Sequence, residues 1–326
     1  PPPAAPRAPA AYLGDARAVA HLAAVADGAW PDVLARLAGD PAAREAMLTP
    51  VRAEGGRAAS ARSYTAWWLR EELGGPFALD GGPATAFLRP APPEVAGLDD
   101  AALAAVGGVH DLAELDPEEW ADLLDGLPPV GSPVDAAAAL ALWRALEALA
   151  ESGVRLDPAP ARVPALHGGT VVVAAADDVA VAPDPMWAPL RPLVPAGRDL
   201  VEEVADLLDV ATVTGPGPAP DDPGHREDVP SEVGTVVGER LPRTWERHDD
   251  LRVDGVAVPW WVEGRGGADV VVHATGPAGL AAALAVVAGR YGARHVLEEV
   301  LRDPRGAQGA VARTAWDDPQ SSADAR

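Results

Sequence analysis

The sequence predicts an α+β protein with a helical first half, then small β-hairpin elements, then a closing antiparallel sheet covered by a long helix. Three observations lead there. Leu251 to Leu301 spells out a hairpin, a third strand and a helix. Asp254-Gly255 suits a two-residue turn with positive φ, and Val256, Val258, Trp260 and Val262 follow at period two. Before Gly153 the chain is a series of capped segments with helical apolar spacing. At Arg155 the texture turns proline-rich and then β-branched.

In chain order, residues 1–12 read as a Pro/Ala linker and 13–153 as the helical region. Helices are expected at Asp15 to Ala26, at Pro31 to Ala38, after Asp40-Pro41, and over Ser60 to Leu73, where Tyr64, Trp67 and Trp68 form an aromatic flank. Two short helices, Asp99 to Val106 and Pro117 to Leu124, follow; Asp116 and Glu119 supply a capping box to the second. Ser132 to Glu151 is the strongest helix of this half, with Leu140, Trp143, Leu146 and Leu149 as its stripe. Residues 154–214 read as a small α+β region, with a hairpin from Thr170–Val173 to Val179–Ala182 and a helix over Asp199 to Leu208. Residues 215–232 read as a mobile acidic loop, 233–304 as antiparallel sheet plus helix, and 305–326 as a polar tail. Within the sheet, Val253 should pair with Val256 and Leu251 with Val258. Trp260 should then face the core with them, and Trp261 the opposite side. Leu280, Leu284, Val287 and Tyr291 form the stripe of the covering helix, and Gly289 and Gly292 suggest close approach to a neighbour.

Composition restricts the chemistry. With 48% apolar residues in 326 the chain is globular, while Pro 35 and Gly 33 require frequent connectors. A formal charge of −23 opposes binding to nucleic acid or to an anionic membrane surface. No Lys, Ile, Asn or Cys occurs. A phosphate-loop lysine, a Schiff base, a thiolate nucleophile and a thiolate zinc site are therefore ruled out. No run approaches the roughly 18 consecutive apolar residues of a membrane span, and Pro1 to Ala10 is no secretory signal. A cytoplasmic location is expected. Position 1 is not Met, so the chain is expected to be part of a longer polypeptide.

No catalytic or metal-binding set emerges. His295, Glu298 and Glu299 share one helix face without the second His that a helical zinc site needs, and read as a solvated face. His225 to Asp228 reads as loop, and no serine sits in a nucleophile elbow. Gly215-Pro216-Gly217-Pro218 is too proline-bound to cradle phosphate. The expectation is no enzyme, no cofactor and no metal in this chain, with Trp261 and Trp67 as candidate partner contacts.

Ser63 to Arg70 (SYTAWWLR), Trp120 to Val130 (WADLLDGLPPV), Ala182 to Trp187 (APDPMW) and Val253 to Trp261 (VDGVAVPWW) carry a family likeness. With these the chain resembles the C-terminal part of sacsin-like, heat-shock-chaperone-like ATPase proteins of GC-rich bacteria, from about Asp15 to Pro304. The resemblance implies an upstream ATPase domain of the same polypeptide as partner, holding ATP and magnesium. This chain would then be the downstream coupling or client-contact portion, acting on a protein client. The residues that hold magnesium in that domain have no counterpart here, because the chain has no Asn. The alternatives are a free-standing acidic protein-binding module and, behind it, a hydrolase with an unrecognised triad.

Overall fold

The structure, a computed structural model, describes residues 18–52, 60–237, 241–264, 270–310 and 312. The protein is of the α+β class and divides into two compact units, Pro1–Pro128 with Val134–Pro160, and Pro129–Pro133 with Ala161–Arg326. The linker expected at 1–12, residues 265–269 ahead of the third strand, and the tail beyond 312 lie outside the described residues. Among the described residues no helix is long and apolar enough to cross a membrane.

The first unit comprises α1 (Trp30–Gly39), α2 (Pro41–Leu48), β1 (Val51–Arg52), β2 (Ser60–Ala61), α3 (Tyr64–Glu72), β3 (Phe77–Ala78), β4 (Arg89–Pro90), α4 (Asp100–Ala105), β5 (Gly108–Val109), α5 (Pro117–Asp125) and α6 (Ala136–Glu151). Each of the helices α2 to α6 starts on a side-chain cap: Asp40, Ser63, Asp99, Asp116 and Asp135 accept from backbone N–H groups of the first turn. The three short strands β4-β3-β5 form a parallel sheet that the sequence did not announce, because two-residue strands carry no periodicity. No helix covers the described part of the expected Asp15 to Ala26. His21 stands at φ 67° and Val19 gives its N–H to Thr65 Oγ1 at 3.0 Å, so only the turn Leu22–Ala24 remains. On α6 the buried face runs through Ala139, Leu142, Trp143 and Leu146, which leaves the expected stripe residue Leu140 44% exposed. Buried Arg70 pairs with Glu119, and Arg62 reaches Asp116 at 2.6 Å and Glu119 at 3.3 Å.

The second unit begins with β6 (Arg162–His167), β7 (Thr170–Ala175), β8 (Ala180–Ala182), β9 (Leu193–Pro195), α7 (Val201–Leu208) and β10 (Ala211–Thr212). These strands make a five-stranded sheet in the order β10-β8-β9-β6-β7. The expected hairpin between Thr170–Val173 and Val179–Ala182 does not form. Gly168 and Gly169, at φ 56° and 87°, turn β6 into β7, so β7 pairs with the strand before it, while β8 pairs in parallel with β9 and β10.

The closing part holds β11 (His225–Asp228), α8 (Gly234–Val237), β12 (Thr244–Arg247), β13 (Arg252–Val253), β14 (Val256–Ala257), β15 (Trp260–Glu263), β16 (Val271–Ala274), α9 (Pro277–Val287) and α10 (Arg294–Arg302). The Asp254-Gly255 hairpin forms as expected, Val253 opposite Val256, with Val258 donating to the Leu251 carbonyl at 2.9 Å. Val256, at its tip, is 37% exposed and not part of the apolar face. The four-stranded sheet runs β11-β12-β16-β15 and is mixed, not purely antiparallel, because β12 and β16 pair in parallel. The expected long helix is two, α9 and α10. Gly289 takes φ 67° just past α9, a left-handed stop that a glycine supplies. A Cβ at Gly289 or Gly292 would meet nothing within 4 Å, so neither marks a close approach. That role belongs to Gly279, whose Cα lies against the Pro259 carbonyl and the Trp260 side chain. The polar tail starts later than expected, since Ala307 and Ala310 are buried in this core.

Candidate metal centre

Glu246 of β12 and His248, just past its end, stand two residues apart and so point to one side; His248 is still held in register by its N–H to the Ala274 carbonyl at 2.9 Å. The parallel register sets Glu246 beside His273 of β16. The antiparallel register sets His273 opposite Trp261, and Val271 opposite Glu263. One face of the sheet thus carries Glu246, His248, His273, Trp261 and Glu263. The other face, with Trp260, Val262, Val272 and Ala274, is buried with α9.

The two imidazoles are 5% and 3% exposed and meet edge to edge, His248 Nε2 lying 3.1 Å from His273 Nδ1. The far nitrogen of the second ring, His273 Nε2, lies 2.9 Å from Glu263 Oε2. A carboxylate only accepts, so His273 carries its proton on Nε2 and turns the lone pair of Nδ1 toward His248. Glu246 completes the group: one ligand atom from each of Glu246, His248 and His273 can be chosen so that all lie within 4.8 Å of one another. Glu246 is itself oriented, its Oε2 accepting the Gly224 N–H at 3.0 Å.

Burial pushes both imidazoles below the ordinary histidine range. For His248 the neighbouring His273 adds to that shift; for His273 the Glu263 carboxylate opposes it. Both rings are neutral near pH 7, the form that ligates a metal. Space is reserved as well. A Cβ on Gly224 would stand 2.6 Å from His248 Nε2 and 2.9 Å from Glu246 Cβ, so only a glycine fits beside the ligand atoms.

In a tetrahedral zinc site with bonds of about 2.0–2.1 Å, two ligand nitrogens lie about 3.3 Å apart. The observed 3.1 Å is close to that. Two imidazoles and a carboxylate suit a first-row divalent ion, and the Glu263–His273 contact is the outer-shell carboxylate that such ligands commonly have.

The residues singled out from sequence lie elsewhere or behave otherwise. Trp261 was expected to face either a second layer or a partner; it is fully buried under a second layer, so it is no partner contact. Its parity is as read; its face is covered. Gly217 packs on its ring, its indole N–H donates to the Pro218 carbonyl at 2.8 Å, and Trp187 meets it edge-on with ring centres 4.9 Å apart. The covering strap belongs to the segment 215–232 expected to be a mobile loop. Instead Gly217 is hydrogen-bonded to Val262, Asp221 to Arg252 and Gly255, and His225–Asp228 is edge strand β11. Gly217 there packs on the tryptophan ring and the Pro218 carbonyl takes its N–H, a seating that composition alone does not distinguish from a linker. Trp67, in the other unit, is half-buried with its ring 5.7 Å from that of exposed Tyr64. His295 is exposed, and Glu298 pairs with Arg302 at 2.6 Å, as a solvated helix face should.

Helical ligand spacing does not reveal Glu246-Arg247-His248. On a strand that i, i+2 pair is a two-ligand face. Comparison of this chain with family models, with curated proteins and with solved structures finds no match in any of the three.

Proposed function

We propose that this protein binds a divalent first-row transition ion at Glu246, His248 and His273, with Glu263 holding the His273 ring. The observation that carries this reading is the convergence of three oriented ligand atoms within 4.8 Å. This reading differs from the expectation of no metal in this chain. Without an ion, the same rings form a chain in which His248 Nε2–H donates to His273 Nδ1; an ion would displace that one proton. Three protein ligands leave a tetrahedral ion one free position, the pattern of sites that bind a further ligand.

Zinc titration against a chromophoric chelator tests the reading on the full chain. One equivalent should bind with a Kd of about 1 μM or below, near 8 kcal/mol. His273→Ala and His248→Ala should each abolish it. Equal zinc uptake by the double variant would move the ion to the acidic surface and sink the assignment.

Protein-client contact, the role implied by the family resemblance, has one supporting observation: Tyr64 is 50% exposed beside Trp67. It predicts that the chain suppresses aggregation of a heat-unfolded reporter protein and that Trp67→Ala loses this. No suppression by the unaltered chain would end that reading.

A further inference from the structure

Glu246 belongs to two features at once, the ligand cluster and the wall of a pocket. That pocket, of about 170 Å³, is lined by Arg226, Arg243 and Thr244 together with Glu246, Pro242 and Val271. We propose that it is an oxyanion subsite of the metal centre, in which Arg226, Arg243 and Thr244 hold a phosphate group against the ion's free coordination position. This rests on the metal reading above.

The pairing register brings the parts together. Arg226 of β11 is the direct cross-strand partner of Glu246, so it shares the face that carries the ligands. Arg243 and Thr244 come from the start of β12, with Thr244 one step up the same face from Glu246.

Both arginines lack a counter-charge in a strongly acidic protein. The chain has 49 acidic residues against 26 basic ones, and Arg62, Arg198, Arg247, Arg252 and Arg302 each meet a carboxylate within 3.3 Å. Arg226 and Arg243 make no ion pair or side-chain hydrogen bond among the described residues. Guanidinium groups left unpaired at one pocket in so acidic a protein fit a phosphate, which the planar donor fork binds strongly.

Two features define the ligand. Drug-sized molecules fill roughly 300–1,000 Å³, so a pocket this size takes a single phosphate group and not an extended substrate. Glu246, Glu263 and Asp228, the last opposite Thr244, place negative charge around it. Two guanidinium groups alone do not outweigh them; with a divalent ion added they do. The anion therefore binds only to the metal-loaded protein.

Isothermal titration of inorganic phosphate and of phenyl phosphate into the full chain, zinc-loaded and zinc-free, tests this. Both ligands are expected to bind the zinc-loaded form and neither the zinc-free form. Arg226→Ala and Arg243→Ala should each weaken phosphate at least tenfold while leaving zinc affinity unchanged. Binding of both anions assigns the phosphoryl group of an ester as well as the free ion; binding of inorganic phosphate alone assigns the free ion. Zinc uptake without phosphate binding, or phosphate binding indifferent to both arginines, overturns the subsite and leaves the metal reading standing. Absence of zinc uptake overturns both.

Discussion

Each unit buries a polar cluster, and these two are chemically opposite. In the first, Arg70 and Arg62 face Glu119 and Asp116, so donors meet acceptors and charge meets counter-charge. In the second, Glu246, His248 and His273 turn ligand atoms toward one another, and only one proton lies between the two rings. The first cluster matches charge with counter-charge, with Arg70 Nε left without a hydrogen-bond partner, and reads as architecture. The second is short of positive charge at its centre and reads as a receptor for a cation.

If the first cluster is architecture, removing one partner should be expensive. Glu119→Ala leaves the Arg70 guanidinium buried without its counter-charge and should lower stability by about 3–5 kcal/mol in a denaturant melt. A loss under about 1 kcal/mol would show that water reaches Arg70 and that the contrast is overdrawn. Beside the second cluster, Trp261→Ala should cost as much as Trp260→Ala, about 3–5 kcal/mol each, because the strap covers one tryptophan and α9 the other. A much smaller loss for Trp261 would mean that the strap is not seated.

The second cluster should respond to what the first ignores. Zinc at about a hundred times its Kd should stabilise the chain by about 2.7 kcal/mol, seen as a rise in Tm that His248→Ala eliminates and Arg62→Ala does not. Glu263→Gln, which keeps shape but loses the carboxylate charge on His273, should weaken zinc roughly 10- to 100-fold. Unchanged affinity would mean that Glu263 does not set the ring.

The smallest effect lies at the surface of the first unit. Asp80 accepts from His110 Nδ1 at 2.6 Å and raises the pKa of that ring above the ordinary histidine value. The pair contributes fully below that ordinary value and is lost as pH rises through the raised one. A titration of the His110 ring protons by NMR should show the raised value, and Asp80→Asn should return it toward normal.

How much of this the sequence carried depended on distance along the chain. The Asp254-Gly255 turn, the starts of α2, α4 and α5 at Asp40, Asp99 and Asp116, and the pairing of Val253 with Val256 rest on residues a few positions apart, and were legible; α3 and α6 start three residues later than read, at Ser63 and Asp135. The parity of Trp260 and Trp261 was legible too, but not what covers each face, since the cover on Trp261 comes from Gly217 and Pro218. The site itself depends on a parallel register between Glu246 and His273, which no local pattern encodes. Half of it could have been found: Glu-x-His on a strand is a legible two-ligand face.

That parallel register also divides the ligands by when they become available. Glu246 and His248 remain neighbours in a denatured chain, whereas His273 is 25 residues away and joins them only once β16 has been inserted between β12 and β15. Parallel pairing of strands this far apart in the chain is the slow kind of step in folding. A denatured chain therefore offers an ion two groups and the native chain three, so the ion discriminates between them. Metal uptake, followed in time after dilution from denaturant, should act as a clock for the moment β16 pairs with β12.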